Sequence, residues 1–525
     1  MSPTIGFQDL PIEVLPLVLE RLVGRRSDLR HATLVCRQWR APAERLQYSW
    51  IRLWGRDLAI VPLVFRTLAD NPHLCHMIRK FEVRVFSLSL ILSERLEMEH
   101  LAVKVLRQAI RLEHLIWTRK GALTDRVFEA ITSISTLRSF ELNAHTNLSP
   151  GSWDADHLLR LPKLRTLSLI LPDRSIAHIL PAFLQTQRTL SKKVDSNSEG
   201  WLELQELSIL CRESPNINDS VVSSCSPFLQ GSALKSLALA GCSRLTGATL
   251  LPLLATLPFL EHLALEATSI PPSFYIEAAP LLTHLKSLKL THPGPKHPTS
   301  TQFSPSLCHL LQYLPDLRSF TLYHSGTSAL GGWKWPIVEP SLMDAIVEKK
   351  RLEKFECSGV LVQVEEVERL CMVQGLKDLV IHLEWELHLS RVTNAISHLP
   401  RLKTLHILAQ TPEITMEQIE AIAVSSPSLE QVGFRNRVWH VRRKRIKAVS
   451  NETKASGNEP TTEDHRIKVS LERWDSPWWP EALFVVSLRE GTEAFGAFRR
   501  SRYGAEDDNE QETLDDESSS ESDEQ

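Results

Sequence analysis

Near the start of the chain, apolar residues recur at helical steps. Val14, Leu15, Val18, Leu19 and Leu22 stand three and four residues apart and so share one helix face. Pro11 sits where a helix begins, Asp9 ahead of it can act as its cap, and Gly24 closes it. Leu29, Ala32, Leu34, Val35 and Trp39 predict a second helix, capped by Ser27 or Asp28, with Cys36 packed within it. From residue 78 the pattern changes. A six-residue phrase, apolar-x-x-apolar-x-apolar, starts at Ile78, Leu112, Leu137, Leu164, Leu204, Leu234, Leu260, Leu285, Leu317, Leu352, Leu376, Leu402 and Leu429. Helical patterns lie between the phrases, as in ATLLPLLATLP after Gly247, LMDAIVEKK after Ser341 and EEVERLCM after Val364. A proline often stands two residues before a phrase (Pro162, Pro258, Pro315, Pro400, Pro427), where it ends a helix and favours extended backbone.

The shortest spacings between phrases are 24 to 27 residues and the longest is 40. That is the leucine-rich-repeat period. Each repeat is expected to run strand, loop, helix, loop, with alternate strand residues buried against a helix layer. The predicted fold is therefore α/β: a curved solenoid of strand–helix repeats behind the helical N-terminus. The segment from Leu234, with Leu237, Leu239, Cys242 and Leu245, resembles the cysteine-containing subtype of this repeat.

The N-terminal pattern carries a more specific resemblance. Leu10-Pro11-x-Glu13-Val14-Leu15, then Leu19, Leu22 and Leu29, then Val35-Cys36-Arg37 and Trp39, resembles an F-box, here followed by leucine-rich repeats. The resemblance implies a helical module that binds a Skp adaptor and, through it, the cullin scaffold of an SCF-type ubiquitin ligase. It implies adaptor contacts at Leu10, Pro11, Leu15, Leu19, Val35 and Trp39, some of which can instead hold the module together. It also implies a solenoid that captures a protein substrate, and an adaptor subunit with no catalysis of its own. So short a helical segment cannot bury all its apolar side chains internally, which leaves a surface for a partner helix.

Two long insertions leave the same end of their strands, at His292–Pro305 and His324–Pro340. The second brings Trp333 and Trp335 beside Lys334. These indoles read either as substrate-binding anchors at a loop tip or as a plug tucked onto the repeat edge. Strand alternation puts Glu141, Ser168, Ser208, Ala238, Ala264, Lys289, Thr321, Glu356, Val380 and His406 on the face away from the helices. That set shows no stripe of one charge sign, so a nucleic-acid groove is not expected there.

Charge changes the picture at the C-terminus. Residues 505–525 hold eleven Asp or Glu and no Lys or Arg, which predicts a disordered acidic tail. Residues 1–504 then carry 60 Lys and Arg against 52 Asp and Glu, a net +8. Thr513, Ser518 and Ser520 each precede an acidic residue by three positions and are candidate phosphorylation sites. Arg442, Arg443, Lys444 and Arg445 fit a nuclear-localisation signal or a solvated strand. The expected organisation is an F-box at 7–50, a helical linker at 51–77, a solenoid at 78–440, a capping element with the basic segment at 441–503 and the tail at 504–525.

Little else suggests chemistry. There is no phosphate-cradling glycine loop, no G-x-S-x-G and no H-E-x-x-H, so no catalytic residue, cofactor or metal is expected. The eight cysteines are scattered without a C-x-x-C, which favours reduced thiols and a cytoplasmic or nuclear location. No apolar run reaches membrane-spanning length, so no membrane partner is expected. Two other readings stay open: an interaction scaffold that directs no ubiquitin transfer, and a nuclear or RNA-associated protein using the basic cluster.

Overall fold

The computed structural model describes residues 13–22, 26–53, 59–84, 86, 91–119, 121–148, 151–192, 202–268, 270–294, 297–324, 335–383, 389–409, 414–435, 437–447 and 465–473. The chain divides into two compact units, Met1–Leu317 and Arg318–Gln525.

The first unit opens with three helices, α1 (Val14–Glu20), α2 (Arg26–Val35) and α3 (Arg37–Ser49). Strands and helices then alternate: β1 (Trp50–Leu53), α4 (Ile60–Asp70), α5 (Pro72–Cys75), β2 (Lys80–Val83), α6 (Leu92–Gln108), β3 (His114–Trp117), α7 (Asp125–Thr132) and β4 (Ser139–Asn143). A small antiparallel hairpin of β5 (Asn147–Leu148) and β6 (Gly151–Ser152) follows, with a 3-10 turn at Ala155–Arg160. The alternation resumes with β7 (Thr166–Ile170), α8 (Arg174–Lys192), β8 (Glu206–Asn218), α9 (Asp219–Leu229), β9 (Ser236–Arg244), α10 (Gly247–Ala255), β10 (His262–Glu266), α11 (Ser273–Ala278), β11 (Ser287–Thr291) and α12 (Ser300–Gln312). Strands β1–β4 and β7–β11 pair in sequence order, all parallel. Parallel neighbours need crossovers, and crossovers of one hand put the helices on one face.

The second unit repeats the scheme with β12 (Ser319–Tyr323), α13 (Pro340–Val347), β13 (Lys354–Leu361), α14 (Val364–Leu370), β14 (Asp378–His382), α15 (Leu389–Ser397), β15 (Thr404–Leu408), α16 (Met416–Ser425) and β16 (Gln431–Phe434). These strands are parallel. Then the direction reverses: β17 (Arg437–Lys447) lies antiparallel to β16, and β18 (His465–Arg473) antiparallel to β17.

Every six-residue phrase becomes a strand that starts at its third residue. The fourth residues of successive phrases face one another across the ladder: Phe81, Leu115, Phe140, Leu167, Leu207, Leu237, Leu263 and Leu288 in the first unit. None is more than 3 % exposed. Full burial of such a side chain contributes about 1.5–3 kcal/mol, so these columns and the helix faces over them form the core. The second residue of each phrase does a different job. In most phrases its carbonyl accepts two N–H groups from the next repeat, as Glu113 does from Arg138 (2.8 Å) and Ser139 (3.0 Å). Its side chain is polar, and neighbours of opposite sign pair: Arg79 with Glu113 at 3.6 Å and Lys286 with Glu261 at 2.8 Å.

Three places differ from the sequence pattern. Residues 51–77, expected as a helical linker, begin within a strand, and β1 pairs with β2 in full register. The window here is Tyr48-Ser49-Trp50-Ile51-Arg52-Leu53, led by Tyr48 where the thirteen phrases have Leu or Ile, so the repeat is not read there. The second N-terminal helix breaks at Cys36, which is extended (φ −162°, ψ 171°) and exposed between α2 and α3, so its thiol is not packed as expected. Finally, the face away from the helices is not uniform. Ser168, Ser208, Ala238, Ala264 and Lys289 in the first unit are half-exposed. Thr321, Glu356, Val380 and His406 in the second are buried.

Candidate functional site

The N-terminal module packs around a small core. Leu15 and Leu19 of α1, Leu29 and Ala32 of α2 and Ala43 of α3 are buried together, with Leu22, Trp39 and Leu46 against them. Leu15 and Leu19, four residues apart, turn inward on α1. Val14, expected on the Leu15–Leu19 face, instead falls with Leu17 on the other side, and Leu17 is 61 % exposed. At the end of α2, Leu34 and Val35 are 77 % and 61 % exposed. Four large apolar side chains thus face solvent from a module of under forty described residues. That arrangement suits a partner's helices.

Of the residues tied to adaptor contact by resemblance, Val35 is on this surface. Leu15 and Leu19 are in the core and Trp39 packs on it. Leu10 and Pro11 lie outside the described residues. Leu17 and Leu34 are not among the adaptor contacts the resemblance implies. The signal for Leu17 is that it is apolar yet off the Leu15–Leu19–Leu22 stripe. Leu34 gave none, because its spacing fits the stripe that a longer unbroken helix would have had.

The module is joined to the sheet without a linker. Ser49 ends α3, Trp50 begins β1, and the Ser49 carbonyl accepts the Arg79 N–H from the next repeat at 2.9 Å. A charged cluster marks this junction. Glu82, 1 % exposed, accepts the Trp50 indole N–H at 2.8 Å and pairs with Lys80 at 3.1 Å. Arg52 and Arg84 stand 3.8 and 3.7 Å from its carboxylate, and Arg84 reaches on to Glu141 at 3.1 Å. Arg52 also stacks on the Trp50 ring. Three cations thus surround one buried carboxylate where the helical module enters, which compensates its loss of water.

Trp335 lies against the second unit's own sheet, its ring 4.8 Å from that of His382 in an edge-on contact. Trp333 lies outside the described residues, as do Thr513, Ser518 and Ser520. Burial pushes the His382 imidazole down to about 4. His406 is fully buried. Its Nε2–H donates to the Arg435 carbonyl at 2.8 Å, and burial outweighs that bond to push its imidazole down to about 4.

The basic segment is a strand whose residues have different surroundings. Arg442 pairs with Glu472 at 2.8 Å. Arg443 donates to the carbonyls of Leu429, Ala423 and Ser426, and the last two bonds satisfy the C-terminus of α16. Burial there lowers its guanidinium below the usual arginine range. Lys444 is exposed, and the Arg445 side chain lies outside the described residues. Among the described residues no group of three His, Cys, Asp or Glu could hold a metal ion, and no helix is long and apolar enough to cross a membrane.

Comparison with known proteins gives two findings. A chain of the "Crystal structure of Rad7 and Elc1 complex in yeast" is similar at 14 % identity and a TM-score of 0.33, over 78 % of this chain and 96 % of that one. A search of curated proteins gave no match. The other finding falls on the helical module: residues 7–55, which include α1, α2, α3 and β1, match the family model described as F-box-like.

Proposed function

We propose that this chain is a substrate receptor of an SCF-type ubiquitin ligase. The observation that carries this is the coincidence of the F-box-like match with a three-helix module that leaves Val14, Leu17, Leu34 and Val35 in solvent. In this reading those side chains dock on a Skp adaptor, which ties the chain to a cullin scaffold. The strand–helix repeats are leucine-rich repeats that bind a protein substrate. The chain does no chemistry itself. It holds the substrate near a charged ubiquitin-conjugating enzyme and so raises the effective concentration of the reacting groups. The direct passage of α3 into β1 supports this role, because a receptor without a linker there fixes the substrate's orientation to the ligase.

Co-purification with a Skp adaptor tests the proposal. The intact chain is expected to bind. A Leu34→Asp/Val35→Asp variant is expected to lose binding by about a hundredfold or more while its circular dichroism stays unchanged, since it puts two carboxylates into an apolar contact. An intact chain that binds no adaptor overturns the reading.

A further inference from the structure

We propose that the ribbon of β17 and β18 is a docking surface for carboxylates, and that its occupant is this chain's own acidic segment, residues 505–525. The two strands hold nine Lys or Arg and a single carboxylate, Glu472. Their register pairs Arg442 with Ser470 and Lys444 with Lys468. Side chains directly opposite in a ladder share a face, so Lys444 and Lys468 meet on one side of the ribbon with Arg442 two positions along it. Both lysines are exposed, and among the described residues neither has an ion-pair partner. Like charges directly opposite destabilise a ladder. An anion placed between the two lysines removes that cost. Arg442, which holds Glu472 at 2.8 Å, shows a carboxylate already bound on this face. Arg443 is engaged with the end of α16 and takes no part.

The occupant follows from the rest of the chain. Residues 505–525 carry eleven carboxylates and no cation. The 32 residues between Arg473 and Glu506 span roughly 100 Å when extended. That reach is enough to bring the segment onto the ribbon, and being on the same chain it needs no second molecule to arrive. Nucleic acid is the rival polyanion, with non-specific dissociation constants of about 10⁻⁴–10⁻⁶ M. Base stacking would strengthen it, but Trp439, the aromatic residue of β17 apart from His440, is buried. Charge complementarity and tethering together favour the chain's own carboxylates.

Fluorescence anisotropy tests this with two probes, a labelled poly-glutamate of about twenty residues and a single-stranded RNA of similar length, at about 50 mM salt. A chain ending at Gly504 is expected to bind poly-glutamate about tenfold more tightly than the full chain, with the gain lost by about 0.3 M salt. In the shortened chain, Lys444→Gln/Lys468→Gln should cancel the gain without lowering the thermal midpoint. Lys468→Gln alone, on the last of the described strands, should cancel part of it. Equal poly-glutamate binding by the full and shortened chains overturns the proposal. So does RNA binding that is as tight in the full chain as in the shortened one, since the ribbon would then be open to nucleic acid.

Discussion

At single residues the fold makes opposite demands on side chains that look alike in sequence. Gly231 and Gly359 both adopt left-handed backbone, φ +67° and +72°. An added Cβ at Gly231 meets nothing within 4 Å, whereas at Gly359 it would sit 2.1 Å from the His324 carbonyl oxygen. Gly231→Ala should therefore cost about 1 kcal/mol, the left-handed penalty alone. Gly359→Ala should cost about 3 kcal/mol or more, because backbone must move. Chemical denaturation of the two variants side by side checks the difference. The histidines set a pH dependence. His382 and His406 have folded values near 4, below the ordinary 6.5. Between pH 6.5 and 4 the unfolded chain takes up protons that the folded chain refuses, so stability is complete above 6.5 and falls through this window. The loss is up to about 1.4 kcal/mol per pH unit for each group. His406→Gln should flatten the fall in thermal midpoint over that range. It should also lower the midpoint at pH 7, because the buried ring's packing is lost. Neither property was legible in the sequence. His406 occupies the phrase's fifth position, which alternation assigns to the open face, and its burial depends on neighbours that periodicity does not encode.

At the scale of elements, sequence spoke most clearly where period and burial coincide. All thirteen phrases become strands, because three apolar residues at fixed steps leave no other way to bury them together. β1 stayed hidden because the position three before its core-facing Ile51 is Tyr48, where the thirteen phrases carry Leu or Ile. The break at Cys36 was hidden too, since a helical stripe continues in sequence across the extended residue. The basic strand β17 shows the same limit. Its run of cations reads as uniformly solvated, yet Arg443 caps α16 through the Ala423 and Ser426 carbonyls while Arg442, one residue earlier, makes an exposed ion pair. The two arginines should separate sharply on substitution. Arg443→Met leaves helix-end carbonyls without their donor and should cost about 2–3 kcal/mol. Arg442→Met should cost less than about 1 kcal/mol, the usual worth of an exposed pair. Urea unfolding of both variants decides this, and equal effects would show that Arg443 is not the cap of α16.

At the scale of the whole molecule, a repeat array must protect the edges of its sheet. The sequence predicts a capping element after the last phrase but not how it would work. In the first unit β1 follows α3 directly, so the module matched as F-box-like enters the repeats at their first strand. In the second unit the chain turns back on itself as β17 and β18, which place Lys468 on the last of the described strands and Arg466 and Arg473 in its sequence. Charged side chains on an edge discourage pairing with another chain. Without the ribbon, the edge would be β16, the four residues QVGF, with Val432 and Phe434 in its core-facing row and no charge among them. Short, uncharged and apolar, it is a template for edge-to-edge association. A chain ending at Arg435 should therefore self-associate on concentration, seen as rising light scattering, and should lose the Arg443 cap as well. A chain ending at Gly504 keeps the ribbon and should stay unassociated under the same conditions. If the two truncated chains scatter alike, β17 and β18 are not what guards this edge.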